Sequence, residues 1–185
     1  MLGGDSRWCG AGLLHRLLSR FGSASLVVKD YVKSQKHYWS EACFIPDASR
    51  SEDALRVIRR FIALQGGRLE GGLVLREFVP LAPAGTHPKS GMPLSREWRL
   101  FLLDGEVLTT SGYWTPDDAP PAEVVARMSA IAARVPARLL SMDIARTAAG
   151  GWTIVEVGSG QVSGLPEALS PVTFHEALAA VLGSA

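Results

Sequence analysis

Short apolar runs alternate along the chain with stretches of helical periodicity, and this alternation sets most of the expected architecture. In AGLLHRLLSRF, residues 11 to 21, Leu13, Leu14, Leu17, Leu18 and Phe21 recur at helical spacing, and Gly22 closes the run. Leu26 to Lys29 reads as a short strand, and Ala42 to Ile45 as a second one stopped by Pro46 and Asp47. Ser49 and Glu52, three apart in SRSE, have capping-box spacing. They open a helix to about Leu64, with Leu55, Ile58, Phe61 and Ile62 on one face, closed by Gln65-Gly66-Gly67. LVLREFV, residues 73 to 79, follows Gly71-Gly72 as a strand.

The segment PLAPAGTHPKSGMPLS is rich in Pro and Gly and is expected to be irregular, a linker between two lobes. After it, WRLFLL and EVLTTSGYW flank Asp104-Gly105, the dipeptide favoured in two-residue hairpin turns. A helix is expected from Asp117–Pro121 to about Val135, buried through Val124, Val125, Met128, Ile131 and Ala132. LLSMDIA (139–145) and WTIVEV (152–157) are two further strands, and Ser170-Pro171 caps a last helix to Leu182. The order predicts an α+β fold of two lobes, with mainly antiparallel sheets and packed helices. Residues 1–80 form the first lobe with its short leading helix, 81–96 the linker and 97–185 the second lobe.

Composition narrows the function classes. The 185 residues suit one domain or two small lobes, and 47% hydrophobic content is ordinary for a globular chain. Lys plus Arg number 19 against 18 acids, so the net charge of +1 gives no basic field for coating nucleic acid. Cys9 and Cys43 have neither metal-ligand spacing nor the number for a disulfide framework. MLGGDSRWCG is unlike a signal peptide, and no apolar run is long enough to span a bilayer. A cytoplasmic protein without a membrane partner is the expectation.

Candidate chemistry begins with an acid pair. A hairpin turning around Ala149-Gly150 sets Asp143 opposite Glu156, with Cβ atoms about 5 Å apart. Ser141 and Ile154 share that face, while Leu140, Met142, Ile144, Val155 and Val157 take the other. Like charges so placed call for a cation or proton between them, and an all-oxygen site suits Mg²⁺ better than Zn²⁺. The opposing reading is a pair of solvent-facing acids. GSGQVSGLP, residues 158 to 166, is a Gly-rich run without a Walker or dinucleotide-binding pattern, and a tight surface loop is an equal reading.

LVVKDYVKSQKHYW gathers Lys29, Lys33, Lys36 and His37 among Tyr31, Tyr38 and Trp39. A phosphate cradle, a nucleic-acid strip and a solvated face compete there, and the neutral net charge opposes the second. In REFVPL, Arg76 and Glu77 end a strand, and the backbone around Phe78 and Val79 suits an adenine or a plain strand end. Glu97, Arg99, Phe101 and Leu103 share a strand face. Arg99 amid such apolar company needs an anionic partner, either Glu97 or a ligand phosphate. His15, His37, His87 and His175 have no triad or metal spacing.

With these residues laid out, the sequence resembles the ATP-grasp superfamily and, within it, a divergent clade rich in Lys and Arg. The resemblance rests on VVKDYVKSQKHYWSEACFIPD, GGLVLREFVPL, EWRLFLLDGEV, SMDIA and WTIVEVGSGQVSGLP, in that order over residues 27 to 166. It implies two lobes clasping ATP, with Lys29 and either Lys33 or Lys36 on phosphates and Glu77, Phe78 and Val79 at the adenine. It further implies Arg99 near the phosphates and acyl group, and Asp143 and Glu156 on Mg²⁺. Lys36 and Arg99 then stand as the residues closest to chemistry. Family members typically phosphorylate a carboxylate with ATP and let an amine or thiol attack the acyl phosphate. Small-molecule or peptide carboxylates and amines are therefore the implied substrates. A non-catalytic nucleotide-binding or regulatory module is the alternative, and a nucleic-acid-binding or end-modifying protein is a third.

Two departures from the family pattern stand out. Glu-x-Asn is replaced by Glu156-Val157-Gly158, which leaves Ser159 or Gln161 as substitutes for the Asn ligand. Only 25 residues precede the lysine strand, where such enzymes usually carry a further domain that helps bind the acceptor. A partner chain or a second copy of this one is the expected supplier of that function.

Overall fold

The structure is a computed structural model that describes residues 11–86, 93–114 and 119–183. Cys9, His87, Asp117 and Asp118 lie outside the described residues. The chain divides into two compact units, Met1–Val79 and Pro80–Ala185. The fold is α+β, built from antiparallel sheets with helices packed on them.

In the first unit, helix α1 spans Ala11–Leu18 and runs into a 3-10 turn, Ser19–Phe21, that ends at Gly22 with φ of 57°. Strand β1, Leu26–Lys29, lies between β2, Phe44–Ile45, and β3, Val74–Glu77, in one antiparallel sheet. A 3-10 turn, Lys36–Tyr38, and the short helix α2, Trp39–Ala42, separate β1 from β2. Helix α3, Ser51–Gln65, buries Leu55, Ile58 and Phe61 against Leu18, Leu26, Val28 and Ile45. The apolar face expected from periodicity therefore forms the core of this unit.

The cap of α3 differs from the capping-box expectation. The Ser49 hydroxyl donates to Asp47 Oδ1 at 2.6 Å, so it is engaged upstream and Arg50 becomes the N-cap residue with no side-chain cap. Asp47 also accepts from the Ser49 N–H at 2.9 Å, a local turn that outcompetes the helix for that serine. Asp53 in the first helical turn pairs instead with Arg50 and Arg56.

In the second unit, β4, Pro83–Thr86, pairs with β5, Pro93–Ser95, inside the Pro- and Gly-rich segment. Pro at each strand start and a register shift at Gly85, with φ of 115°, hide this pairing from a reading of alternation. The segment is stitched to its own unit by Ala82 N–H to Arg146 O and Ala148 N–H to Pro80 O, both 2.8 Å. The main sheet has the order β7-β6-β8-β9, with β6 at Glu97–Leu103, β7 at Glu106–Gly112, β8 at Leu139–Arg146 and β9 at Trp152–Ser159. Asp104 and Gly105 turn β6 into β7 with φ of 51° and 89°, the two positive values that this hairpin type requires.

Helix α4, Ala122–Ala132, covers one face of the sheet, packing Val124, Met128 and Ala132 on Leu100, Leu102, Met142 and Ile144. On the opposite face, Phe101 meets Phe174 at 4.8 Å, and Leu169 joins them. Phe174 belongs to α5, Pro171–Leu182, whose N-cap Ser170 accepts from Val172 N–H at 3.2 Å with Pro171 in the first turn. One face of the sheet is thus apolar under α4. The other carries Arg99, Asp143 and Ser141 beside the C-terminal segment.

Candidate functional site

Register builds the polar row of the second unit. Arg99 on β6 lies opposite Asp143 on β8, and Asp143 lies opposite Glu156 on β9. The acid pairing is the one expected from the hairpin. A register shift follows immediately, since Ile144 pairs with Ile154 and Val155 is the extra residue. The bulge turns Ile154 toward the α4 side, where it packs with the apolar core; a regular strand places it on the acid face.

Arg99 closes on Asp143 through Nε to Oδ1 and Nη2 to Oδ2, both 2.7 Å, a bidentate pair with side chains 13% and 8% exposed. Its Nη1 donates to Gly164 O at 2.8 Å, and its guanidinium lies 4.7 Å from the centre of the Tyr113 ring. The hydrogen bonds to Asp143 hold the Arg99 guanidinium above its ordinary value. Burial opposes this, and the charges of Asp143 and Glu156 add to it. The expected partners of Arg99 were Glu97 or a ligand phosphate. Glu97 sits two residues along the same strand and accepts from the Ser95 hydroxyl, whereas Asp143 stands directly across.

The Gly-rich run folds back onto the same face. Ser163 and Ser141 hydroxyls meet at 2.6 Å, and Ser163 donates to Ser159 O at 2.8 Å. A Cβ added at Gly158 would stand 3.2 Å from Ser141 Oγ, so the serine pair fills the space beside this glycine. Ser159 is in β9 and Gln161 is exposed, and neither is the hydroxyl nearest that position. The partnership of Ser141 with Ser163 has no sequence signal, because 22 residues separate them.

For a divalent cation, Asp143 and Glu156 offer oxygen ligands. Asp143 spends two of roughly four lone-pair positions on Arg99 and keeps the others for a cation shared with the exposed Glu156. The residues fit a hard ion such as Mg²⁺ that completes its shell with phosphate and water. Among the described residues no group of three or more His, Cys, Asp or Glu gathers as a metal cage, so the pair would rely on ligands from the nucleotide.

In the first unit, Lys29 ends β1 half-buried, paired with Val74 and bridged to Ser34. Lys33 and Lys36 are exposed, as is His37. Sequence reading passed over the residue that shapes this loop. Asp30 is fully buried and accepts from Val32 N–H at 2.8 Å, Lys33 N–H, Gln65 Nε2 at 2.9 Å and Glu70 N–H at 3.4 Å. Gln65 in turn accepts from Gln35 at 3.1 Å, so the loop that follows Lys29 is tied to the end of α3. Burial pushes the Asp30 carboxyl up, but the N–H donors of Lys33, Val32 and Glu70, with the charge of Lys29, hold it below its ordinary value. An Asp one residue past an apolar strand, two before the chain turns back, was the available signal.

Phe78 N–H donates to Ser25 O at 2.8 Å, so this amide is already paired and is not open to a purine. Leu26 lies opposite Glu77, and Val79 is 40% exposed. Trp39 stacks on Phe44 at 5.2 Å, and the Phe78 ring meets both edge-on. Tyr31 lies across Gly71, where an added Cβ would fall 2.2 Å from its ring. Cys43 is buried, and burial pushes its thiol up to about 11, which leaves it unreactive.

Comparison with known proteins gives these residues a context. The profile of an ATP-grasp domain family, the third family of its clade, matches residues 20–182. The ATP-grasp ligase PsnB complexed with minimal precursor is similar in structure, with a TM-score of 0.52 and 14% identity over 92% of this chain and 52% of PsnB. PsnB with a phosphomimetic variant of that precursor, Mg and ADP gives a TM-score of 0.54 and 13% identity over 94% and 50% of the two chains. The D-cycloserine synthetase DcsG gives 0.44 and 18% over 93% and 60%. The chain spans about half the length of PsnB, and these identities speak to fold alone. No curated protein sequence matches it.

Two outcomes follow from the buried charges. Arg99→Ala leaves Asp143 uncompensated and is expected to cost about 3–5 kcal/mol, while Arg99→Ala with Asp143→Ala costs less than Arg99→Ala alone. Urea unfolding of the three variants measures this, and strictly additive losses contradict it. The depressed Asp30 carboxyl contributes stability that is present above its unfolded range, near pH ~3.9, and lost as pH falls through the lower folded value. The stability gap between the wild type and Asp30→Asn is therefore expected to be large at neutral pH and to shrink in acid. A gap that is constant across urea melts at neutral and acid pH removes the role given to the Asp30 charge.

Proposed function

Because the chain belongs to this ATP-grasp domain family, a family of nucleotide-dependent ligase-like chemistry, we propose that it uses ATP and Mg²⁺ to activate a carboxylate for attack by an amine or thiol. The observation that carries this reading is the row Arg99–Asp143–Glu156, where a guanidinium and two carboxylates lie abreast on one sheet face. Asp143 and Glu156 hold the cation, which when bound neutralises phosphate charge and helps the leaving ADP. Lys29, Lys33 and Lys36 contact phosphates, and Glu77, Phe78 and Val79 border the adenine, through side chains and the backbone groups other than Phe78 N–H.

In the first step a substrate carboxylate oxygen attacks the γ-phosphorus and the bond to ADP breaks, giving an acyl phosphate. An amine or thiol then attacks the acyl carbon, loses its proton and expels phosphate. Arg99 serves both steps as a fixed cation, facing negative charge that builds on phosphoryl and then acyl oxygens. Its pair with Asp143 holds the guanidinium plane before any ligand arrives, which spares ordering cost at the reaction.

A second reading is a nucleotide-binding module without turnover. Gly158 favours it, because the site lacks the amide that the family pattern places two residues after the second acid, and Ser141 and Ser163 fill the space.

Calorimetry with ATP, with and without Mg²⁺, tests the proposal. Mg²⁺-dependent binding is expected, weakened at least tenfold by Lys29→Ala and by Glu156→Gln, an exposed position whose change leaves folding intact. Wild-type affinity in both variants overturns the assigned roles. ADP release on adding pools of carboxylates and amines separates the ligase from the silent module.

A further inference from the structure

The sheet face opposite Arg99 carries a second like-charged pair, this one basic. Arg96 immediately precedes β6, and Arg146 ends β8; Arg146 N–H donates to Arg96 O at 3.0 Å, which sets the two residues abreast on neighbouring strands. Arg146 also lies opposite Trp152 on β9. Trp98, two residues after Arg96, shares its face with Ile144 and the apolar core, and its ring centre is 5.0 Å from that of Trp152. These four side chains, with Ala119 and Pro121, line a cavity of about 220 Å³.

Like charges directly opposed across strands are unfavourable. The acid pair on the other face is relieved by Arg99. The basic pair has no such relief: among the described residues neither the Arg96 nor the Arg146 guanidinium makes a hydrogen bond or ion pair. Arg96 is half-buried, so its charge is partly desolvated, and Trp98 beneath it is only 4% exposed. Two guanidiniums beside two indoles and a proline are matched by a ligand with a flat apolar body and an anionic end. The cavity is smaller than the roughly 300–1,000 Å³ that drug-sized ligands occupy, which limits the body to about one ring.

We propose that this cavity is a binding site for a small aromatic carboxylate, its ring against Trp98 and Trp152 and its carboxylate held by Arg96 and Arg146. The site lies on the sheet face away from the Arg99–Asp143–Glu156 row and does not depend on the nucleotide reading.

Benzoate is the probe, titrated into the full chain and followed by calorimetry and by the indole N–H signals of Trp98 and Trp152. Saturable binding is expected, with those two indoles shifting. At least tenfold weakening is expected with benzamide, the neutral isostere, and in Arg146→Gln and Arg96→Gln. Arg146 is exposed, so its variant is expected to melt with the wild type and to keep the test independent of folding. Absence of saturation into the millimolar range, equal binding of benzamide, or unchanged benzoate affinity in both variants overturns the site. Inorganic phosphate shifting the same indoles as strongly as benzoate overturns the aromatic part of the assignment.

Discussion

The bidentate contact of Arg99 with Asp143 is the interaction on which the polar face of the second unit depends. β8 is the strand between β6 and β9, so Asp143 meets Arg99 on one side and Glu156 on the other. Without the guanidinium, two carboxylates face each other across adjacent strands, one of them nearly buried. With it, the face is neutralised in part, and the third arm of Arg99 fixes the loop at Gly164. A single arginine therefore joins strand register, charge balance and the fold of the Gly-rich segment. The proposed function asks that same residue to face phosphate, which places the ion pair at the boundary between stability and chemistry.

Much of this was legible in the sequence, for identifiable reasons. Apolar periodicity placed α3 and its core face, and Asp104-Gly105 marked the β6–β7 turn because few residues tolerate its two positive φ values. The pairing of Asp143 with Glu156 followed from counting outward from a Gly turn. What escaped was decided by interactions of low local signature. A bulge beside Asp143 reassigned Ile154, and Asp47 captured the serine expected to cap α3. Pro and Gly in β4 and β5 imitated a linker. Arg99 was matched to Glu97 because that glutamate is near in sequence, while the true partner is 44 residues away.

Asp30 shows a different limit. A charge buried in the interior is unfavourable unless its lone pairs are filled, and here three backbone N–H groups and Gln65 fill them. The result is a loop whose shape is set by a residue with no exposed surface, while the lysines it presents point to solvent. Composition registers the lysines and misses the carboxylate that positions them. The same holds for Ser141 and Ser163, which occupy the space beside Gly158 and give a local reason why a glycine stands there.

The central claim is that Asp143 and Glu156 form a cation site and that Arg99 occupies its edge until phosphate arrives. A crystal structure of the chain with ATP and Mg²⁺ tests it most directly. The account predicts one metal ion with an oxygen of Asp143 and an oxygen of Glu156 each about 2.0–2.1 Å away, and Arg99 in contact with a phosphate oxygen. A nucleotide complex in which the metal sits elsewhere and Arg99 donates only to Asp143 and Gly164 would contradict it.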